Sequence, residues 1–313
     1  MIHNYDNYNY WQIDPYELPT HGFMYPDNVK IKIRSMSVLE VKFLATLLPE
    51  TATTVCNEIL EKCTILENMD YDDLYLPDRE YLIFWIRLNS FTTKAGYTIS
   101  IPQCTECGKS IEEELELGNI KFKYLDKPFI DHVFLPDARK KIKLAIPKYK
   151  DSNIVTNDEI EDLALYIDNN KMDFDEKIDF IKNITAYDFI TLKSVIDENY
   201  CGVNRNYVIV CNNCQKPHNV QLTINDQNLF NSVNLMQILE TITRIAKYAN
   251  LQITNDWPWI EVEVESKIIE QMIQEENERN KAELNRAKQQ AHSVSVPHTP
   301  SMPSMPSRPS VHY

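Results

Sequence analysis

Four of the seven cysteines in this 313-residue chain fall into two Cys-x-x-Cys pairs, Cys104/Cys107 and Cys211/Cys214. Two intervening residues let one tight turn aim both sulfurs at a single point. Four thiolates around Zn²⁺, with Zn–S near 2.3 Å, make a tetrahedral shell that leaves no position for a substrate water. The chemistry expected is therefore a structural zinc site with Cys104, Cys107, Cys211 and Cys214 as ligands. Gly108, just after the first pair, suits a turn with positive φ, whereas Gln215 holds the corresponding place after the second. A Zn²⁺ site with four thiolates carries net −2, which Lys109 and Lys216 are placed to offset. His218 is an alternative donor in place of one sulfur, although Pro217 stiffens its approach. Redox dithiols are expected at helix N-termini, where the dipole lowers the thiol pKa; these pairs stand between strand-like runs. Cys56 and Cys63, on one helix, read as core residues, and Cys201 as a buried or turn thiol.

The elements around the two pairs repeat. A helical apolar stretch leads into a β-like run (96–101, then 207–210), the Cys-x-x-Cys follows, and a second alternating run comes next (111–117, then 220–224). Two hairpins facing each other, a small zinc-ribbon-like module, would bring distant parts of the chain to one metal.

The rest of the chain reads as mainly helical, giving an α+β class overall. Residues 1–30, punctuated by Pro15, Pro19 and Pro26, form an extended arm whose Tyr5, Tyr8, Tyr10 and Trp11 are interface anchors or core cover. Residues 31–255 form an α+β domain. It opens with a strand over 29–33 and helices over 38–48 and 53–67, the first capped by Ser37 with Glu40 completing a capping box. Asp78 is placed to cap a third helix, with Tyr81, Leu82, Trp85, Ile86 and Asn89 on one face. Between the knuckles, about 125–200, lies a helical insertion whose apolar positions include Leu163, Leu165, Ile167, Phe174, Ile178, Ile181, Phe189, Leu192 and Ile196. An amphipathic helix spans 235–250, and Trp257-Pro258-Trp259 breaks the chain. A C-terminal helix within 256–292 turns wholly polar after Glu275, and the Ser/Pro-rich tail 293–313 lacks the apolar content to fold alone.

Composition narrows the function. The 43% hydrophobic content fits a globular chain, and no apolar run approaches a membrane span. The N-terminus lacks the basic and apolar parts of a signal peptide, so a cytosolic origin is expected. A net charge of −14 repels phosphate backbones, and the basic stretch 139–143 is short. A nucleic-acid-binding zinc-ribbon regulator is thus the alternative rather than the first reading. The five glycines include no closely spaced set to cradle phosphate, and the chain has neither His-Glu-x-x-His nor Gly-x-Ser-x-Gly. Asp70, Asp72 and Asp73 lack the glycine and distal Glu of a Ca²⁺ loop, and His3, His21 and His132 have no ligand-like spacing. No enzymatic activity and no small-molecule substrate are expected.

Two stretches carry a resemblance. Leu18-Pro19-Thr20-His21-Gly22-Phe23-Met24-Tyr25-Pro26 is followed by a strand and the Ser37–Glu40 helix start; Asp78, Tyr81, Leu82 and Arg87 then precede Cys104/Cys107. In this order the parts, over about 14–250, resemble the baseplate hub assembly protein family of T-even-type bacteriophages with contractile tails. The helical insertion and the segment after Trp257 stand outside that pattern. The resemblance implies a non-enzymatic, late morphogenesis protein, either a hub subunit or a hub assembly factor. Its partners would be other baseplate hub or tape-measure proteins. It would act in the host cytoplasm during assembly, with the virion tail baseplate as its other location.

Overall fold

A computed structural model describes residues 9–92, 96–154, 156, 158–222, 224, 226–230 and 234–293. The Ser/Pro tail after Ser293 and the first aromatics of the arm, Tyr5 and Tyr8, lie outside the described residues. The chain divides into two units, one ending at Ser266 and one starting at Lys267.

Strands β1 (Trp11–Ile13), β2 (Lys30–Ile33) and β3 (Thr64–Glu67) form an antiparallel sheet with β2 in the middle. Alternation decides its faces: Ile31 and Ile33 are fully buried, while Lys32 points outward to Glu67 at 2.6 Å. Helices α1 (Val38–Leu44), α2 (Ala52–Cys63) and α3 (Leu76–Ser90) accompany this sheet. The Ser37–Glu40 cap is present, with the Ser37 N–H donating to Glu40 at 2.7 Å. Glu40 also takes a bidentate pair from buried Arg34.

Two expectations change here, and the N-terminal arm gains detail. The second helix does not run to residue 67. Thr64 and Ile65 are β-branched and pair with Ile33 and Lys32, which outweighs the helical apolar spacing. Residues 9–30 carry no α-helix and are tied to the domain: β1 is paired, Leu18 is fully buried and the Leu125 N–H donates to the Pro19 carbonyl at 2.9 Å. Asp78 is not the cap of α3, whose N-cap is Tyr75 with Pro77 in the first turn. It is instead buried inside that turn.

The insertion contains the hairpin β7 (His132–Leu135) and β8 (Lys140–Lys143), with α4 (Glu159–Leu165), α5 (Phe174–Asn183) and α6 (Ala186–Asn199). Its own core joins Val133, Leu135 and Leu144 to Leu163, Ile178, Ile181, Leu192 and Ile196. Asp188 of α6 accepts backbone N–H groups from Asp137 and Ala138, fixing the hairpin turn to the helix. The chain enters and leaves this block through one strand pair, β6 (Phe122–Lys123) with β9 (Gly202–Val203).

The knuckles are β4 (Gly96–Ile101) with β5 (Ile111–Glu116), and β10 (Asn206–Val210) with β11 (Pro217–Gln221). The last strand starts at Pro217 rather than 220, because Pro217 at its first position gives up no ladder bond. Short α7 (Asp226–Phe230) follows, its partly buried Asp226 paired with buried Arg79 at 2.6 Å. Then come α8 (Leu235–Ala249) and α9 (Trp259–Ser293). The Trp257-Pro258-Trp259 break docks on the start of α1: the Val38 N–H donates to the Trp257 carbonyl and the Trp259 N–H to that of Met36, both at 2.9 Å. In the second unit α9 continues from Lys267, and every residue from Gln274 to Lys288 is exposed.

Candidate metal centre

Each knuckle is the same turn built from different residues. The Cys104 N–H donates to the Lys109 carbonyl at 2.8 Å and the Gly108 N–H to that of Cys104 at 3.0 Å. In the second knuckle the Cys211 N–H reaches Lys216 at 2.9 Å and the Gln215 N–H reaches Cys211 at 2.8 Å. The turn requires a left-handed residue after the second cysteine, with φ of 72° at Gly108 and 62° at Gln215. Glutamine therefore adopts, with some strain, the conformation that glycine takes freely.

The two turns face each other. All four Sγ atoms lie within 4.8 Å of one another, and the closest contacts cross between knuckles: Cys104 to Cys214 at 3.6 Å, Cys107 to Cys211 at 3.7 Å. A tetrahedron with 2.3 Å metal–sulfur bonds has sulfur–sulfur edges of about 3.8 Å, while a disulfide would need about 2.05 Å. All seven cysteines are free thiols. Cys104 and Cys211 are buried under Ile99, Ile111, Ile209 and Leu222, and Cys107 and Cys214 are partly open to solvent.

The electrostatics favour a cation. The Lys109 backbone N–H draws the Cys107 thiol down to about 6, and the Cys214 and Asn213 backbone N–H groups lower Cys211. At Cys214 the Lys216 backbone N–H also lowers the pKa. Desolvation and the neighbouring sulfurs overcome it and leave this thiol at about 12. Four thiolates this close repel one another, so full ionisation needs a positive ion among them. Thiolate tetrahedra suit Zn²⁺ or iron.

The two lysines also make contacts beyond the offsetting of charge. Each reaches across to the opposite knuckle, Lys109 to Asn213 at 2.8 Å and Lys216 to Glu106 at 2.7 Å. Together they stitch the hairpins, and the Lys216 ammonium also interacts with the charges of Cys104 and Cys214. His218, on β11, stands 3.2 Å from Cys104 Sγ, beside the four sulfurs rather than in place of one. Cys56, Cys63 and Cys201 are buried away from this centre, and burial raises their pKa values, as inert core thiols require.

One constellation was not read from the sequence. Buried Asp78 accepts from the Thr20 N–H at 3.0 Å, the Thr20 hydroxyl at 2.6 Å and the Tyr25 hydroxyl at 2.6 Å. Tyr25 in turn accepts from the Tyr75 N–H at 3.0 Å. Gly22 closes the loop at φ +63°, where a Cβ would stand 2.8 Å from Pro15 Cβ. The Leu18–Pro26 motif and the Asp78 motif are thus two halves of one buried lock. Their order along the chain was the available signal; their contact was not.

Two unlike hairpins carrying one four-thiol centre define the chain as an α+β protein with a site able to hold a metal ion. It belongs to the family of T4 bacteriophage base plate proteins, whose family model matches residues 18–231. The match begins at the Leu18 motif, runs through the helical insertion and ends beyond the second knuckle, short of α8. No curated protein and no solved structure matches the chain.

Proposed function

We propose that this chain is a non-enzymatic subunit or assembly factor of the baseplate hub, with one structural Zn²⁺ on Cys104, Cys107, Cys211 and Cys214. The observation that carries the first half is the family match over 18–231, which takes in both knuckles and the Thr20–Asp78 lock. For the metal, the cross-knuckle sulfur distances support zinc, and the closed donor set has no vacant position for catalysis. Its chemical contribution is to neutralise the thiolates and join the two hairpins.

The remaining surface agrees with binding rather than turnover. A depression of about 580 Å³ lies against Pro15, Tyr16, His21 and Tyr25. Its histidine is held: the ring stacks between Tyr16 and Tyr124, and Nδ1–H donates to the Tyr16 carbonyl. The nucleic-acid reading is weakened by exposed Glu112, Glu113 and Glu114 on the first knuckle. No helix among the described residues is long and apolar enough to cross a membrane. The partners this reading implies are other hub or tape-measure proteins, met in the host cytoplasm during assembly and in the finished tail. A null mutant should yield particles without working baseplates, and tagged protein from infected cells should carry hub or tape-measure proteins with it. Normal infectious virions from the null mutant would overturn the reading.

A further inference from the structure

The second unit offers a helix with no apolar packing of its own from Gln274 to Lys288, every residue there being exposed. A mostly polar helix that buries none of its few apolar residues is held by internal charge pairs or by a partner. Among the described residues this stretch shows the internal pairs Gln274 with Glu278 and Arg279 with Glu275, each at 3.4 Å. Two other opposite-charge pairs follow a different spacing, Glu276 with Lys281 and Glu283 with Lys288. Five residues turn a helix through about 140° beyond a full revolution, so these charges cannot meet on one helix. The same spacing is that of g to e′ pairs between parallel coiled-coil strands.

The seam between those charges has the matching period. Ile273, Asn277, Asn280, Leu284 and Ala287 recur at alternating steps of four and three. With Asn277 and Leu284 at a and Ile273, Asn280 and Ala287 at d, Glu276 and Glu283 fall at g and Lys281 and Lys288 at e. Antiparallel pairing would set Lys against Lys and Glu against Glu. An Asn at a fixes register and favours two strands at a cost in stability. We infer that residues 273–288 pair in parallel with the same segment of a second copy of this chain, forming a weak two-stranded coiled coil. The segment lies beyond the family match, so self-association would be an addition to the shared domain.

Sedimentation of the full chain over a wide concentration range should show a reversible monomer–dimer equilibrium. Glu276→Lys with Glu283→Lys, or Lys281→Glu with Lys288→Glu, should each weaken the dimer by at least about tenfold. An equimolar mixture of the two variants should restore a dimer containing one of each. Asn277→Cys should cross-link copies on mild oxidation, since parallel pairing sets the residue against itself. All five positions are exposed, and unchanged circular dichroism verifies the fold. A monomer throughout, a trimer, a dimer indifferent to the charge reversals, or no cross-link at 277 would each overturn the assignment.

Discussion

Gln215 shows how one turn can be specified by unequal residues. It holds φ 62° where the matching knuckle uses Gly108 at 72°. Gln215→Gly should therefore stabilise the protein by roughly 0.5–1 kcal/mol in denaturant unfolding, and Gly108→Ala should destabilise it by a similar amount. At the sulfurs the effect is larger. Cys104→Ser or Cys211→Ser should remove the metal and cost on the order of 3 kcal/mol or more, read as a lower unfolding midpoint beside a loss of bound metal. Asp78 gives a pH signature. Burial pushes it up to about 6, from an ordinary 3.8, against the pull of Thr20 and Tyr25. Between about pH 4 and 6 the folded state thus holds a proton that the unfolded chain has already lost. That contribution is complete below pH 4 and disappears as pH rises through about 6. The stability of wild type relative to Asp78→Asn should fall by on the order of 3 kcal/mol between pH 4 and 7. A pH-independent difference would contradict the raised pKa of buried Asp78.

Among the elements, what the sequence made legible was local and periodic. Strand, Cys-x-x-Cys and strand occur twice because tight-turn chemistry is written in adjacent residues, and the Ser37–Glu40 cap could be read for the same reason. Tertiary competition was hidden. The apolar spacing of residues 53–67 suits a helix, yet Thr64 and Ile65 are drawn into β3 by pairing with β2. Asp78 has the type and position of a cap, but Thr20 and Tyr25, far away in sequence, claim its carboxylate. The prolines of residues 15–26 correctly exclude a long helix and say nothing of Leu18 entering the core. The insertion carries its own test. Leu192 is fully buried in that block's cluster, so Leu192→Ala should cost about 2–5 kcal/mol by calorimetry. A change within about 0.5 kcal/mol would mean that this core is not packed as described.

For the whole molecule, family membership and charge point the same way. A chain of net charge −14 with an acidic face on its first knuckle should show no salt-dependent retention on duplex DNA, even at low ionic strength. Retention that weakens steeply with salt would revive the nucleic-acid reading. The base plate family match spans the residues of both knuckles, and the proposed clamp would join two parts of that matched stretch. Native mass spectrometry of protein purified without chelators tests that clamp most directly. It should find one zinc per chain, with Cys104, Cys107, Cys211 and Cys214 resisting alkylation until a chelator is added. No zinc, two zincs, or four freely alkylated thiols in the untreated protein would contradict it.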